Sequence, residues 1–291
     1  MTTSATRGAC AVTSSVAQIG DLEMFYLDAP GGPRTMMLLH GLSSNANAFS
    51  GVITAGLSPA FRVIAPDMRG RARSGKPASG YSIAEHARDI IGLMDKLELE
   101  QVVLGGHSFG GYLAIYIAAH HPERVEKLVV IDSVLNSTPK AIELLKPSLD
   151  RLTRVEASPA AYLDAIRNSP YMEGVWDDAA EQYFRAELQE NADGTAQSAT
   201  SSAAIAQVIP AIAAEPWLRW VQQVQHPTLL LNAVDGFGRG NPPIMGATDA
   251  KATAREFRNA RYRVVPGNHL TMMFAPGAQS ICSEIRQFAE T

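Results

Sequence analysis

Short apolar runs alternate along this chain with longer segments whose apolar positions recur at helical spacing. Runs of the first kind predict buried strands, and they cover residues 22–27, 35–39, 61–65, 102–104, 125–131, 227–231 and 261–265. Segments of the second kind predict helices over 81–97 and 278–289. Residues 112–119 are apolar throughout and are long enough to predict a buried helix. Strands separated by helices are typical of an α/β fold with a mostly parallel central sheet flanked by helices. In such sheets the functional loops collect at the carboxyl ends of the strands.

The middle of the chain breaks this alternation. Residues 136–224 contain successive segments with helical patterns, separated by prolines and by Asn191-Ala192-Asp193-Gly194, and no pattern typical of a strand. We therefore predict one core domain made of residues 21–135 and 225–291, with residues 136–224 inserted as a helical unit. Residues 1–20 are rich in Ser, Thr and Ala, and we expect them to form a flexible N-terminus.

Size and charge limit the classes of function. The chain has 291 residues and an apolar fraction of 46%, which suits one large domain with a sizeable core. Its net charge of −4 gives no electrostatic reason to expect binding to nucleic acid or to an anionic membrane. No apolar run reaches the roughly 18 residues of a membrane span, and the N-terminus lacks the pattern of a secretory signal. Cys10 and Cys282 lie near opposite ends, so we expect two free thiols in a reducing compartment, the cytoplasm.

The strongest chemical signal is the segment Gly106-His107-Ser108-Phe109-Gly110, which has the pattern G-x-S-x-G. A predicted strand precedes it and an apolar helix follows it. A strand that turns into a helix within so few residues forces the central serine into a strained backbone conformation, and a Cβ atom at either glycine is expected to collide with the turn. The serine hydroxyl is then exposed at the edge of the sheet, beside a helix N-terminus that favours negative charge. This serine is a candidate nucleophile.

Four landmarks make the sequence similar to the α/β-hydrolase superfamily. His40-Gly41 follows one predicted strand, Asp67-Met68-Arg69-Gly70 follows the next, the serine turn comes third, and Gly267-Asn268-His269 comes last. The likeness covers nearly the whole chain apart from its N-terminus and the middle insert, and it points to the branch of cap-bearing serine esterases and C–C hydrolases. It implies the α/β-hydrolase fold, with residues 136–224 as a helical cap over the active site.

The resemblance also implies roles for individual residues. Ser108 corresponds to the nucleophile, and His269, in the loop after the last predicted strand, corresponds to the base that takes its proton. The acid that orients the histidine is expected at Asp235, at the end of the strand over 227–231. Asp132 ends the strand before the insert, and some members of the superfamily use that position, so it stays open as the alternative acid.

The remaining parts of the expected site are the oxyanion hole and the substrate pocket. The resemblance implies that the backbone N–H groups of Leu42 and Phe109 bind the oxyanion of an acyl-transfer intermediate. All three tryptophans, Trp176, Trp217 and Trp220, lie in the insert. They are candidates for the wall of an apolar substrate pocket, and the alternative is that they attach the cap to the core.

These residues lead us to expect a serine hydrolase that cleaves a small, largely apolar carboxylic ester or lactone through an acyl-enzyme intermediate. Cleavage of a C–C bond in a β-diketone-type ring-cleavage product, or of an amide or carbamate, is expected to need the same residues and stays open. The non-enzyme alternative is a ligand receptor on a hydrolase fold. We expect no cofactor, no metal and no nucleic-acid or membrane partner, and the substrate is expected to be a small molecule. The sequence leaves the oligomeric state open.

Overall fold

The central feature of the fold is a β-sheet. The computed structural model describes residues 11–135 and 139–290, with the backbone alone for residues 139–142. The strands of the described residues are β1 (Thr13–Ile19), β2 (Leu22–Ala29), β3 (Thr35–Leu39), β4 (Arg62–Pro66), β5 (Val102–His107), β6 (Val125–Ile131), β7 (Leu188–Glu190), β8 (Ala196–Ser198), β9 (Thr228–Ala233) and β10 (Ala260–Val265). Within this part of the chain, eight strands form one sheet in the order β1-β2-β4-β3-β5-β6-β9-β10.

The sheet is mostly parallel, as predicted. Strand β2 runs antiparallel to both of its neighbours, β1 and β4. The other neighbouring strands pair in parallel. All residues of β5 are buried, which is typical of a parallel strand covered on both faces and explains its continuous apolar run. Because β3 and β6 flank β5, the loops that follow these three strands meet at one edge of the sheet.

Helices flank the sheet and also build most of the insert. The described α-helices of the core are α1 (Ser50–Val52), α2 (Ser58–Ala60), α3 (Ile83–Lys96), α4 (Phe109–His120), α10 (Ala247–Glu256) and α11 (Gly277–Ala289). The described α-helices of the insert are α5 (Pro139–Asp150), α6 (Pro159–Arg167), α7 (Asp178–Ala186), α8 (Ser202–Ala214) and α9 (Trp217–Gln223). Helix α4 is apolar on all sides because it packs against β5, β6, α3 and the insert helix α9. Within residues 11–135 and 139–290, no helix is both long and apolar enough to cross a lipid bilayer.

The insert contains one element that the sequence analysis did not predict. Strands β7 and β8 pair antiparallel, and Asn191-Ala192-Asp193-Gly194, interpreted above as a separator, is the turn of this hairpin. Gly194 has φ +82°, a conformation that favours glycine. Each strand spans three residues, which is too short for an alternating pattern to show. The predicted start of the insert at residue 136 lies outside the described residues.

The N-terminal expectation also needs correction. Residues 13–19, predicted as part of a flexible segment, form β1 and pair with β2 along its whole length. The Ser and Thr content of this segment is typical of a loop, but Val16 and Ile19 are β-branched and suit an edge strand. Residues 1–10, with Cys10, lie outside the described residues. Cys282 is a free, buried thiol.

Candidate active site

The serine turn joins β5 directly to α4. Ser108 has φ +54° and ψ −119°, a conformation that is rare and strained for a residue with a side chain. A Cβ atom on Gly106 would lie 2.0 Å from the carbonyl oxygen of Gly110, and one on Gly110 would lie 2.0 Å from that of Leu39. The turn therefore requires glycine at both positions for the reason predicted, which is collision with neighbouring backbone.

Ser133 supports this turn from the neighbouring strand. Its Oγ donates a hydrogen bond to the carbonyl oxygen of Ser108 at 2.6 Å, while the N–H of Ser108 donates to the carbonyl oxygen of Ile131 at 2.9 Å. Gly111 is needed here too, because a Cβ atom on it would lie 2.1 Å from Ser133 Oγ. The sequence analysis missed Ser133, whose signal is its place directly after Asp132 at the end of β6.

His269 lies between Ser108 and Asp132. Its Nε2 is 2.9 Å from Ser108 Oγ and its Nδ1 is 2.7 Å from Asp132 Oδ2. A carboxylate accepts hydrogen bonds, so we assign the imidazole proton to Nδ1, which leaves Nε2 to accept from the Ser108 hydroxyl. Gly267, with φ +100°, turns the chain after β10 into the loop that holds the histidine. The loop thus brings the two residues predicted as base and nucleophile within hydrogen-bond distance.

Asp132 is the carboxylate that meets His269. It is 1% exposed and follows β6 directly. Its Oδ1 accepts hydrogen bonds from Asn232 Nδ2 at 2.8 Å and from the N–H of Ala233 at 2.9 Å. The Tyr262 hydroxyl donates to Asn232 Oδ1 at 2.9 Å and holds that amide in place. Donors on both oxygens compensate the cost of burying the carboxylate and fix its orientation toward the imidazole.

Asp235, the first choice for the acid in the sequence analysis, is not brought to His269. It is exposed, and its Oδ2 accepts the N–H of Gly267 at 2.9 Å. The physical reason is the strand order, since β6 lies between β5 and β9 and its end is closer to the serine turn. We therefore correct the expectation: Asp132, the alternative, occupies the place beside the imidazole, and Asp235 braces the loop that holds it.

His107 fixes the same loop from within the serine turn. Its Nε2–H donates to the carbonyl oxygen of His269 at 2.7 Å, and the two rings lie 4.8 Å apart between centroids. Burial keeps the pKa of His107 well below its usual range, so the ring stays neutral at neutral pH. Sequence reasoning gave this residue no role. Among the described residues, no group of three or more His, Cys, Asp or Glu side chains is arranged to hold a metal ion.

Leu42 and Phe109, the residues expected to supply the oxyanion donors, line the same cavity as Ser108. Phe109 is the first residue of α4, and the N–H groups of a first helical turn have no intrahelical acceptor and a partial positive charge. Leu42 follows β3, and a Cβ atom on its neighbour Gly41 would lie 3.5 Å from Ser108 Cβ. The structure thus places both backbones beside the serine, and their role stays a prediction.

A cavity of about 850 Å³ opens above Ser108 between the core and the insert. Its lining is mostly apolar and comes from α4, α5, α8, α9 and α10. The apolar lining residues include Leu42, Tyr112, Leu135, Leu145, Leu149, Ile209, Ile212, Trp217, Leu218 and Met245. Charged and amide side chains on the described lining are Glu215, Arg219, Gln222 and Glu256. A site of this size and lining suits a largely apolar organic ligand.

The three tryptophans of the insert have different surroundings. Trp217 lines the cavity, and its ring lies 4.7 Å from that of Tyr112 on α4. Trp220 packs on the outer end of α4, with its ring 4.4 Å from His120. Trp176 stacks on Phe184 within the insert. The structure therefore places Trp217 where a pocket residue was expected. Away from the described lining, Trp220 attaches the insert to α4 of the core, and Trp176 packs within the insert.

Comparison with known proteins gives matches over most of the chain. Residues 34–276 match the family model described as alpha/beta hydrolase fold. The 2-(acetamidomethylene)succinate hydrolase of Mesorhizobium japonicum is 28% identical over 252 residues, which are 86% of this chain and 85% of that enzyme. The crystal structure of an E-2-(acetamidomethylene)succinate hydrolase superposes with a TM-score of 0.84 at 25% identity, covering 97% of this chain and 100% of the other.

A shorter match is found with an uncharacterized protein of Mycobacterium tuberculosis. It is 37% identical over 105 residues, which are 36% of this chain and 30% of that protein. This match says nothing about the activity of either protein. The family model, in contrast, spans the sheet, the serine turn and the histidine loop. The chain therefore belongs to the alpha/beta hydrolase fold family.

Proposed function

We propose that this protein is a serine hydrolase that cleaves a largely apolar carboxylic ester through an acyl-enzyme intermediate. The observation that supports it most is the unbroken series of hydrogen bonds from Asp132 through His269 to Ser108, which ends at the wall of an apolar cavity. Membership of a hydrolase family and the name of the relative matched over most of its length support hydrolysis as the reaction class.

In the first half of the proposed mechanism, Ser108 Oγ attacks the substrate carbonyl carbon while its proton passes to His269 Nε2. The tetrahedral oxyanion accepts hydrogen bonds from the N–H groups of Leu42 and Phe109, each of which is expected to lower the barrier by about 3 kcal/mol. Asp132 stabilises the imidazolium. The C–O bond to the alcohol then breaks, and His269 returns the proton to the leaving oxygen.

In the second half, a water molecule attacks the acyl carbon of the Ser108 ester while His269 Nε2 takes its proton. Collapse of the second oxyanion breaks the bond to Ser108 Oγ, which regains the proton from His269. The products are a carboxylic acid and an alcohol. This scheme uses the side chains and backbone of the site and water, with no cofactor.

The cavity lining supports an uncharged, largely apolar substrate. The volume of about 850 Å³ accommodates acyl or alcohol groups larger than those of the small ester expected from the sequence. The relative that matches over most of its length is named for a succinate, a dicarboxylate. On the described lining of this cavity, however, the charged groups are Arg219, Glu215 and Glu256, so an acidic substrate would meet more negative than positive charge.

A second candidate is hydrolysis of an amide bond. It is favoured by the likeness to the M. japonicum enzyme, whose name specifies an acetamido group. The same three side chains serve both reactions, because attack of the serine on an amide also gives a tetrahedral oxyanion, which then collapses to a serine ester. Cleavage of a C–C bond stays a third candidate from the sequence. Turnover of matched ester, amide and β-diketone substrates with one acyl group distinguishes them.

The proposed function is tested by acylation and turnover of Ser108. Purified wild type and Ser108→Ala are assayed with p-nitrophenyl acetate, butyrate and octanoate, and are treated with a fluorophosphonate probe followed by peptide mass spectrometry. We expect steady turnover and labelling at Ser108 in the wild type, with loss of both in the variant. A single burst without steady turnover would favour the receptor alternative. Wild-type protein that is neither labelled nor active on any of the substrates would contradict the proposal.

A further inference from the structure

Two buried arginines bind consecutive carbonyl groups in the loop after β3. Arg71 Nε donates to the carbonyl oxygen of Leu42 at 3.0 Å, and Arg151 Nη2 donates to that of Ser43 at 2.9 Å. Arg71 is 0% exposed and belongs to the core, in the loop after β4, while Arg151 is 5% exposed and belongs to the insert, directly after α5. The same short loop is therefore held from opposite sides by two different parts of the molecule.

Arg71 is unusual because its described contacts include no carboxylate. Its Nη1 donates to the carbonyl oxygen of Arg69 at 2.6 Å and contacts His86 Nε2 at 2.7 Å, and its guanidinium lies 5.3 Å from the centre of the Phe109 ring. Its Nη2 is buried without a hydrogen-bond partner among the described residues. Burial lowers the pKa of Arg71 to about 9, which still leaves the group charged at neutral pH.

A buried charge without an opposite charge destabilises a fold, so its presence points to a role beyond stability. Arg71 touches both residues expected to donate to the oxyanion, Leu42 through the carbonyl group and Phe109 through the ring. Neither Arg71 nor Arg151 is among the described residues that line the cavity. Any effect of the two arginines on the reaction therefore passes through the residues that they hold, the loop after β3 and, for Arg71, Phe109, rather than through contact with substrate.

Arg151 connects the loop to the insert through a buried ion pair. Its Nε and Nη2 donate to the two carboxylate oxygens of Glu187 at 2.8 and 2.7 Å, and the Tyr162 hydroxyl donates to Glu187 at 2.6 Å. Glu187 is 0% exposed and lies between α7 and β7. Because the pair is held within the insert, the position of the Ser43 carbonyl depends on how the insert sits on the core.

We propose that Arg71 and Arg151 clamp the loop 42–43 and thereby hold the Leu42 N–H in the orientation that an oxyanion requires. This inference rests on the proposed function. The clamp acts mainly on the transition state, because the oxyanion forms after substrate binds. It also makes the oxyanion hole dependent on the insert. If the insert moves away from the core, the loop loses its hydrogen bond from Arg151. Arg71 and Arg151 are positioning residues in this scheme.

The decisive variant removes the hydrogen bond from Arg151 of the insert to Ser43 and leaves no unpaired charge. Arg151→Met/Glu187→Leu replaces the ion pair by apolar groups of similar size, a change that folds often tolerate. The Ser43 carbonyl then lacks its donor from the insert. We expect kcat to fall about 10- to 100-fold with KM changed less than about twofold, because a small displacement of a catalytic donor has effects of this order.

The matched control is the bidentate pair of Arg34 and Glu126. Arg34 donates to both oxygens of Glu126 and also to the carbonyl oxygen of Ala289, so it repeats the hydrogen-bond pattern of Arg151 on partly exposed side chains that do not contact the loop after β3. We expect Arg34→Met/Glu126→Leu to retain wild-type kcat. In the core, Arg71→Met is expected to lower kcat at least as much as the Arg151 variant, and Arg71→Lys to recover part of it through one hydrogen bond to Leu42.

A second measurement separates positioning from general damage. A trifluoromethyl ketone with the best acyl chain forms a hemiketal oxyanion on Ser108, whereas the corresponding carboxylic acid product does not. We expect Arg151→Met/Glu187→Leu to bind the ketone about 10-fold or more weakly and the product with unchanged affinity. Equal kcat and equal ketone affinity in that variant and the wild type would overturn the clamp. If Ser108 of the wild-type protein is not acylated, the proposed function is wrong, and the clamp then has no role in catalysis.

Discussion

The core and the insert differ in how closely they fix their residues around the cavity. In the core, Asp132 receives three hydrogen bonds and is 1% exposed, and a single extra carbon at Gly106 or Gly110 would collide with backbone. In the insert, the lining residues Ile209 and Leu218 are 38% and 50% exposed. Reactive groups are thus held by geometry that tolerates little change, whereas the insert presents an apolar surface that tolerates substitution. We infer that the core supplies the reacting groups, and that the insert sets the choice of substrate and, through Arg151, helps to hold the loop after β3.

The largest expected effect separates the two carboxylates of the core. Asp132→Asn is expected to lower kcat by about 10⁴-fold, because the asparagine no longer fixes the imidazole tautomer. Asp235→Asn is expected to lower it by less than about fivefold, since the amide oxygen still accepts the N–H of Gly267. Steady-state kinetics on the preferred ester measure both, and melting temperatures verify that each variant folds. A greater loss in Asp235→Asn would reverse the assignment.

The next effect compares a glycine of the core with one of the insert. Gly110→Ala is expected to lower the free energy of unfolding by about 3 kcal/mol or more, because its Cβ would lie 2.0 Å from the carbonyl oxygen of Leu39. Gly194→Ala, in the hairpin of the insert, has open space around the new Cβ and φ +82°, so its cost is limited to about 1–2 kcal/mol of backbone strain. Urea unfolding measures both. Equal costs would show that the serine turn tolerates an added side chain as well as the hairpin of the insert does.

Acid is expected to destabilise the core specifically, because residues 136–224 contain no histidine. Burial lowers the pKa of His40 from 6.5 to about 4, and it lowers the pKa of His86 and His107 in the same direction. Below pH 6.5 these histidines take up a proton in the unfolded chain but stay neutral in the folded chain. Their contribution to the free energy of unfolding is therefore complete above pH 6.5 and decreases as the pH falls.

His40 alone is expected to remove about 2 kcal/mol from the free energy of unfolding between about pH 6.5 and pH 5. This window lies above the range in which ordinary carboxylates titrate. Urea unfolding at several pH values measures the slope. A free energy of unfolding that stays constant over this window would show that the buried histidines take up protons without unfolding.

The smallest effect tests the insert as the determinant of substrate. Ile212→Trp places a larger side chain on the cavity wall, which is expected to exclude part of a long acyl chain. At about 0.8 kcal/mol for each methylene group displaced, kcat/KM for octanoate should fall about 10-fold while that for acetate stays within about twofold. Val155→Trp, at an insert residue that is 55% exposed and away from the described lining, is the control. Equal losses of kcat/KM for both esters would show that Ile212 does not determine which acyl chain length the cavity accepts.

The features that the sequence predicted correctly depend on local pattern. The continuous apolar runs predicted the parallel strands, and the glycines around Ser108 predicted the turn, because each signal lies within a few consecutive residues. The placement of His269 in a glycine-bearing loop also needed no more than local sequence and the family resemblance. These features are visible in one chain without knowledge of which strands are neighbours.

The features that the sequence did not predict depend on contacts between distant segments. The choice between Asp132 and Asp235 follows from β6 lying beside β5, which no local pattern gives. The bonds from Arg71 and Arg151 to the loop after β3 join residues far apart in the chain. The hairpin of β7 and β8 gives no pattern because its strands span three residues each. Strand β1 gives none because most of its side chains are small or polar, as an edge strand allows.

The place where the insert leaves the sheet has a consequence for protein engineering. Asp132 and Ser133 lie just before the predicted start of the insert at residue 136, and the N–H of Leu135, the last residue of the core before it, donates to Thr253 Oγ1 at 3.0 Å. That bond connects the core segment that leads into the insert to α10, in the core segment that follows it. A chimera that exchanges the insert between related proteins should therefore keep the host sequence through Leu135 and keep Thr253. A graft cut before Asp132 would move the carboxylate that contacts His269 together with the insert.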